Sequence, residues 1–154
     1  LGVVATDLGT GEPILFQRGD TGTAVRASSA VPAVFQPVRI NGREYVDGGL
    51  VSPVPVRFAR QMGADVVIAV DISAVPQGNP VSDPVRLLLQ TFAIMGRSIN
   101  QFELREADVV IRPKLNGVSS ADFAARARSI QAGREAAQAA IAEIKAKIAG
   151  AKAH

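Results

Sequence analysis

The chain has 154 residues, 47% hydrophobic and 20% charged, with no Cys, one His and a formal net charge of +3. This composition excludes an intrinsically disordered chain, and at such a length folding buries roughly 68–70% of the unfolded surface without a disulfide or zinc staple. The 17 basic residues are scattered singly along the chain, so neither a nucleic-acid footprint nor an anion-surface binder is indicated.

The chain opens on Leu1-Gly2-Val3-Val4-Ala5-Thr6-Asp7, apolar and strand-like from its first residue. With no Met and no basic leader before that run, it is expected to be a segment of a longer protein. No apolar stretch reaches the roughly 18–20 residues of a helical membrane span. A first strand, Val3 to Leu8, is closed by Gly9-Thr10-Gly11-Glu12-Pro13, and Ile14-Leu15-Phe16 returns from that loose turn as a hairpin. A short helix, Thr23 to Ala30, is expected to stop at Val31-Pro32, because the residue before a proline is pushed out of the helical region. Val38-Arg39-Ile40, Asn41-Gly42 and Arg43-Glu44-Tyr45-Val46 form the clearest local signal. Asn-Gly supplies the two positive-φ residues that a tight type I′ hairpin demands. Asp47-Gly48-Gly49 follows, and Pro53-Val54-Pro55 leads into a helix from Val56 to Met62 that ends at Gly63.

Val66-Val67-Ile68-Ala69-Val70 is continuously apolar and rich in β-branched residues, which predicts a central strand covered by helices on both faces. Gln77-Gly78-Asn79-Pro80 reads as a loop, and Asp83-Pro84 as the start of a long helix with proline in its first turn. In that helix Val85, Leu88, Phe92, Met95, Ile99 and Phe102 recur at spacings of three and four, and Leu87, Leu89 and Ile94 widen the stripe. Ordinary packing of this stripe on the sheet is expected, with a lipid-facing lid or a dimer seam as the functional alternative. Asp108-Val109-Val110-Ile111 is a further strand, ended by Pro113. From Asp122 to about Ala149 the chain is Ala-rich and helical, with Ala137, Ile141, Ile144 and Ile148 on one stripe. Gly133 is a candidate break within it and Gly150 the expected stop. Strands alternating with helices place the chain in the α/β class.

Several chemistries lack their residues. The one His is His154, the last residue, so a Ser-His-Asp triad and metal sites built on His or Cys are excluded. Gly9-Thr10-Gly11 lacks the third glycine of a dinucleotide fingerprint, since Ile14 stands in its place, and no Walker sequence occurs. Gly117-Val118-Ser119-Ser120-Ala121 approaches a nucleophile elbow but ends in Ala and follows Pro113. A Ser near Asp122 capping the next helix is the plainer account. What remains is acidic: Asp7, Asp47 and Asp71 each follow a predicted strand, where ligands bind in α/β sheets. Taken together they would suit a Mg²⁺ site for phosphoryl transfer. Asp47 stands out, because two glycines after it permit a tight turn and close approach of another backbone. Local chemistry leaves two readings of it open: a functional carboxylate, or an Asp-Gly turn whose carboxylate bonds its own backbone.

Three stretches carry a family resemblance. They are Val25-Arg26-Ala27-Ser28-Ser29-Ala30-Val31-Pro32-Ala33-Val34-Phe35-Gln36-Pro37, Tyr45-Val46-Asp47-Gly48-Gly49-Leu50-Val51-Ser52-Pro53-Val54-Pro55 and Gly63-Ala64-Asp65-Val66-Val67-Ile68-Ala69-Val70-Asp71. With Ala5-Thr6-Asp7-Leu8 before them and Phe123, Ile130 and Ala132-Gly133 after, nearly the whole chain resembles the C-terminal half of a bacterial patatin-like phospholipase. The resemblance implies an α/β fold, a three-layer sheet with helices on both faces, present here only as the C-terminal part of one catalytic domain. Members of the family are acyl hydrolases with a Ser-Asp dyad and no catalytic His. Their Ser sits in a Gly-x-Ser-x-Gly elbow and a glycine-rich loop forms the oxyanion hole, both in the N-terminal half; neither has a counterpart in this sequence.

Carried over residue by residue, the catalytic Asp falls on Asp47. Gly48, Gly49, Ser28 and Ser29 are expected to support the site, the two serines lacking the flanking glycines of a nucleophile. Pro32, Phe35 and Leu50 are expected to line an acyl pocket, with ordinary packing as the alternative. The resemblance implies no cofactor and no metal. Its expected partners are a lipid or ester substrate, a peripheral membrane surface and the N-terminal half of the same protein, and no nucleic acid. The expected location is cytoplasmic or peripheral to a membrane. The dyad makes physical sense of the missing His, since a carboxylate in the right place can take the Ser proton. An exposed Asp near its ordinary pKa of about 3.9 is a poor base, so partial desolvation of Asp47 is expected. The segment alone is expected to be inactive, and a non-catalytic module that binds acyl chains or a partner is the competing reading.

Overall fold

The computed structural model describes residues 1–73, 83–118 and 122–151. Strands β1 (Val3–Asp7), β2 (Pro13–Phe16), β3 (Val38–Ile40) and β4 (Arg43–Asp47) form an antiparallel sheet in the order β2-β1-β4-β3. Helix α1 (Thr21–Ser28) connects β2 to β3 and starts at Asp20, whose carboxylate accepts the Thr23 N–H. A 3₁₀ turn over Gly48–Leu50 leaves β4, and α2 (Val56–Gln61) and β5 (Ile68–Val70) follow. Then come α3 (Pro84–Glu103), a 3₁₀ turn (Leu104–Glu106), β6 (Val109–Ile111), a 3₁₀ turn (Phe123–Ala125) and α4 (Arg126–Ala151). Strands β5 and β6 pair in parallel as a second, two-stranded sheet. The fold is α/β.

The hairpin at Asn41-Gly42 forms as its turn chemistry requires, with φ of 50° at Asn41 and 79° at Gly42. Its register places Val38 opposite Tyr45. One core lies between this sheet and α1, built from Ala5, Ala27, Ala30, Val38 and Tyr45 with Ile14, Phe16 and Ile40 against it. Phe16 meets Tyr45 edge to face at 5.1 Å. A second core joins Val56, Val67, Ala69 and Leu104 under α2 and the parallel strands. Arg60 ties this second unit together: its guanidinium donates to the carbonyls of Ala64, Asp65 and Glu106 and to the carboxylate of Asp108. No helix among the described residues is long and apolar enough to cross a membrane.

Three expectations are corrected. Strand β5 is covered on one face only: Val67 and Ala69 are buried, whereas Ile68 is 40% and Val70 51% exposed. An unbroken apolar run therefore hides a period-2 pattern here. Its partner β6 is buried at Val109 and Ile111 with α4 lying against it, and the described residues do not extend that cover over β5. Helix α4 runs unbroken through Gly133 and Gly150, since an isolated glycine costs a helix only about 1 kcal/mol. Its Ile130, Ile141 and Ile148 are exposed.

The third correction concerns α3. Most of its apolar stripe is not packed on the sheet: Val85, Leu87, Leu88, Ile94, Met95 and Phe102 are exposed, Leu89, Phe92 and Ile99 are half-buried, and the buried positions are Gly96, Asn100 and Glu103. The reason is hydrogen bonding in the segment that α3 covers. Val51 to Arg57 contains two prolines and no strand; the N–H groups of Val51, Ser52 and Val56 bond nearby carbonyls, and those of Val54 and Arg57 need other acceptors. Asn100 Oδ1 accepts from the Val54 N–H at 3.1 Å, and Glu103 accepts from the Ser52 hydroxyl at 3.0 Å and the Arg57 N–H at 3.3 Å. The Arg57 guanidinium closes an ion pair with Glu103 at 3.1 Å. Glu103→Ala should cost about 1–3 kcal/mol, because it leaves a buried hydroxyl and an N–H without an acceptor. A urea midpoint that stays at the wild-type value would show that this link does not hold α3 in place.

The sequence readings of Gln77-Gly78-Asn79-Pro80, Ser119-Ser120 and His154 lie outside the described residues. The cap that precedes α4 is Asp122 itself, whose Oδ1 accepts the Ala125 N–H at 3.1 Å.

Candidate active site

Asp47 is the last residue of β4, paired with Ala5 of β1. The backbone around it is held from three sides. Its N–H donates to the Ala30 carbonyl at 3.1 Å, and its carbonyl accepts the Thr6 hydroxyl at 2.8 Å. The chain then turns at once into the 3₁₀ segment Gly48–Leu50. Gly48 is buried so close to β1 that a Cβ there would lie 2.2 Å from the Val4 carbonyl oxygen. That same carbonyl accepts the Ser28 hydroxyl at 2.6 Å, so α1 and the Gly48 turn meet on one peptide group of β1.

The Asp47 carboxylate is half-buried. Its Oδ1 accepts the Gly49 N–H at 2.7 Å, while Oδ2 has no partner among the described residues. One oxygen thus closes the turn on its own backbone, which leaves the other free of that bond. Burial pushes the carboxyl above the ordinary carboxylate range, and the Gly49 N–H, which favours the charged form, offsets this only in part. An ionised carboxylate with a raised pKa is a stronger base than an exposed one.

A cleft of about 310 Å³ opens in front of Asp47. One wall is Val31, Pro32, Gly49, Leu50 and Pro53; the other is the α3 face carrying Leu89, Phe92, Ala93 and Gly96. Gly96 makes the approach possible, since a Cβ there would already meet Pro53 at 3.3 Å. Of the residues expected to line an acyl pocket, Pro32 and Leu50 line this cleft, while Phe35 is exposed and outside it. Ser28 acts on the site through β1, and Ser29 donates to the Val25 carbonyl of its own helix at 2.9 Å. The α3 contribution was missed from sequence. Leu89 and Phe92 stood in the apolar stripe read from the sequence without being assigned to the pocket, and Ala93 and Gly96, beside them on the same helical face, are too small to add to that signal.

The three strand-end aspartates are not brought together. Asp7 caps the turn after β1 through the Gly9 and Thr10 N–H groups and pairs with Arg43 at 3.0 Å. Burial alone would raise its pKa, but these donors and the guanidinium outweigh it and hold the carboxyl below the ordinary range. Asp71 is likewise held low: burial opposes the shift, and the Ser73 donors and Arg112 overcome it. Each is neutralised by its own arginine, and no group of three acidic, His or Cys side chains among the described residues could hold a metal ion. The Mg²⁺ reading is set aside on that geometry.

A family model for patatin-like phospholipases matches residues 4–60, the stretch from β1 through Asp47-Gly48-Gly49 to α2. Over those residues the chain is of patatin-like phospholipase type. An uncharacterised NTE family protein of Mycobacterium bovis is 41% identical over 75 residues, covering 49% of this chain and 21% of that protein. A second NTE family protein, from Mycobacterium tuberculosis, is 30% identical over 166 residues, covering 90% of this chain and 28% of its own length. A lysophospholipase of Aspergillus oryzae is 29% identical over 75 residues, 49% of this chain and 5% of the relative. The patatin-like chain thus spans between a fifth and a third of the length of the first two relatives.

Proposed function

We propose that this chain supplies the general base of a lipid acyl-ester hydrolase, acting on a phospholipid or lysophospholipid through a Ser-Asp dyad. The observation that carries the reading is the half-buried Asp47 carboxylate, with one oxygen fixed by the Gly49 N–H, in the wall of a cleft otherwise lined mostly by apolar residues. The family match over residues 4–60 and the lysophospholipase among the relatives support it. The sequence contains no Gly-x-Ser-x-Gly, so the nucleophile and the oxyanion loop belong to another part of the same catalytic domain, of which this chain is the C-terminal part.

In the reaction, the Asp47 carboxylate takes the Ser proton as the Ser oxygen attacks the ester carbonyl. The proton passes to the departing alcohol oxygen, leaving the acyl group on Ser. Water then attacks the acyl-enzyme while Asp47 takes its proton and returns it to Ser, and the fatty acid leaves. The cleft walls from α3 and Pro32, Leu50 and Pro53 suit the acyl chain.

The full-length protein should hydrolyse p-nitrophenyl butyrate and a lysophospholipid, and the 154-residue chain alone should hydrolyse neither. A full-length protein inert towards both, yet still binding fatty acid, would replace this reading with that of a non-catalytic acyl-binding module.

A further inference from the structure

Beside the Asp47 cleft lies a larger cavity, of about 630 Å³, whose walls carry Arg97, Arg105, Arg112 and Lys114 against one carboxylate, Asp71. That carboxylate is already engaged by Arg112 at 3.3 Å and by the Ser73 N–H at 3.1 Å. Arg105 stacks over the Phe102 ring at 5.3 Å, a contact that brings no counter-charge. Arg97, Arg105 and Lys114 have no carboxylate within ion-pairing distance among the described residues. Gathered cations without counter-charge repel one another, and a bound anion relieves that repulsion. One wall is rigid: Asn100 is buried, bonded to the Val54 N–H by its oxygen and to the Ser73 hydroxyl, at 2.7 Å, by its nitrogen.

Ser73 and Arg97 line both this cavity and the Asp47 cleft, so the two spaces adjoin. We propose that the cationic cavity is a subsite for a phosphate group, adjoining the Asp47 cleft and selecting anionic over zwitterionic head groups. The proposal rests on the hydrolase reading for the identity of the substrate, not for the presence of the anion site. Guanidinium groups match phosphate oxygens in pairs and keep their charge at any accessible pH. A choline or ethanolamine head group would bring a cation as well, and a cation needs a free carboxylate or an aromatic cage. The lining offers neither, since its one carboxylate is bound to Arg112 and it contains no aromatic side chain.

The test compares the full-length protein with its R105Q/K114Q variant, both positions lying outside the Asp47 cleft. Three substrates of one acyl chain are presented in the same neutral micelles: lysophosphatidylglycerol, lysophosphatidylcholine and monoacylglycerol. Wild type should favour lysophosphatidylglycerol, and the variant should lose roughly 10–100-fold in kcat/KM on that substrate alone, the worth of one or two charged hydrogen bonds. In parallel, inorganic phosphate and glycerol 3-phosphate are titrated into both proteins calorimetrically. Binding of both, weakened in the variant and accompanied by the kinetic selectivity, assigns the site to a head group. Phosphate binding that the variant loses, without any change on the three lipids, assigns it to free phosphate and overturns the head-group part. No binding of either anion, or equal losses on all three lipids, overturns the subsite. A wild type inert on every ester sinks the hydrolase reading instead, and the titration then decides the anion site by itself.

Discussion

Asp47→Asn in the full-length protein should lower turnover by roughly 10²–10⁴-fold, the range for loss of a general base, while leaving the fold at least as stable as before. The second half of this expectation follows from the raised pKa. The folded protein holds the Asp47 proton more tightly than the unfolded chain does, so this group's contribution to stability falls as pH rises through the ordinary carboxylate value to the raised one. At neutral pH the ionised side chain is a cost to the fold, and a neutral amide removes it while its oxygen still accepts the Gly49 N–H. Thermal unfolding should therefore show an equal or higher midpoint for the variant, a site strained for function rather than for stability. Since only the ionised form is a base, the acid limb of the wild-type pH–activity profile should lie above the ordinary carboxylate range. Turnover retained in a folded Asp47→Asn protein would remove Asp47 from the chemistry.

Gly48→Ala should have the largest effect on stability, and by a different route. The added methyl would sit 2.2 Å from the Val4 oxygen and 2.8 Å from its carbon. Both are backbone atoms of β1, and Ser28 already bonds that oxygen, so the obstacle cannot swing aside as a side chain would. Overpacking of this kind costs about 1–3 kcal/mol, and the rigid neighbour places Gly48→Ala at the upper end. The urea midpoint should fall with the m-value unchanged. Gly49→Ala is the informative contrast. Its methyl would meet Asp47 Oδ1 at 3.0 Å and nothing in the backbone, so the carboxylate should shift and activity should fall more than stability. Equal loss of stability in both variants would show that the turn, not the Val4 contact, is what demands glycine.

The parts of the site that depend on neighbouring residues were legible in the sequence. Asn41-Gly42 dictated a tight hairpin because only positive-φ residues close it, and that hairpin delivers Asp47 to a strand end with two glycines behind it. The family stretch around Asp47, and the lack of a usable His, followed from the same local reading. The cleft did not, because half of its wall is α3, and α3 turns only the Leu89 and Phe92 edge of its apolar stripe inward while most of the stripe stays exposed. A hydrophobic stripe records amphipathicity along one helix, not the needs of the segment it meets. Here that segment has unpaired N–H groups and two prolines, which favoured the face carrying Gly96, Asn100 and Glu103.

The same limit applies to charge. In sequence, Arg97, Arg105, Arg112 and Lys114 are single cations spread through a chain of modest net charge. The order of residues determined the class of fold, the hairpin and the Asp-Gly-Gly turn, all set by contacts a few positions long. Tertiary structure decided that those four cations share one cavity and that this cavity adjoins Asp47. Coulombic fields depend on distances in space, and those distances are set by the packing of α3 against Pro53 and by the path of the segment after β6 along the same cavity.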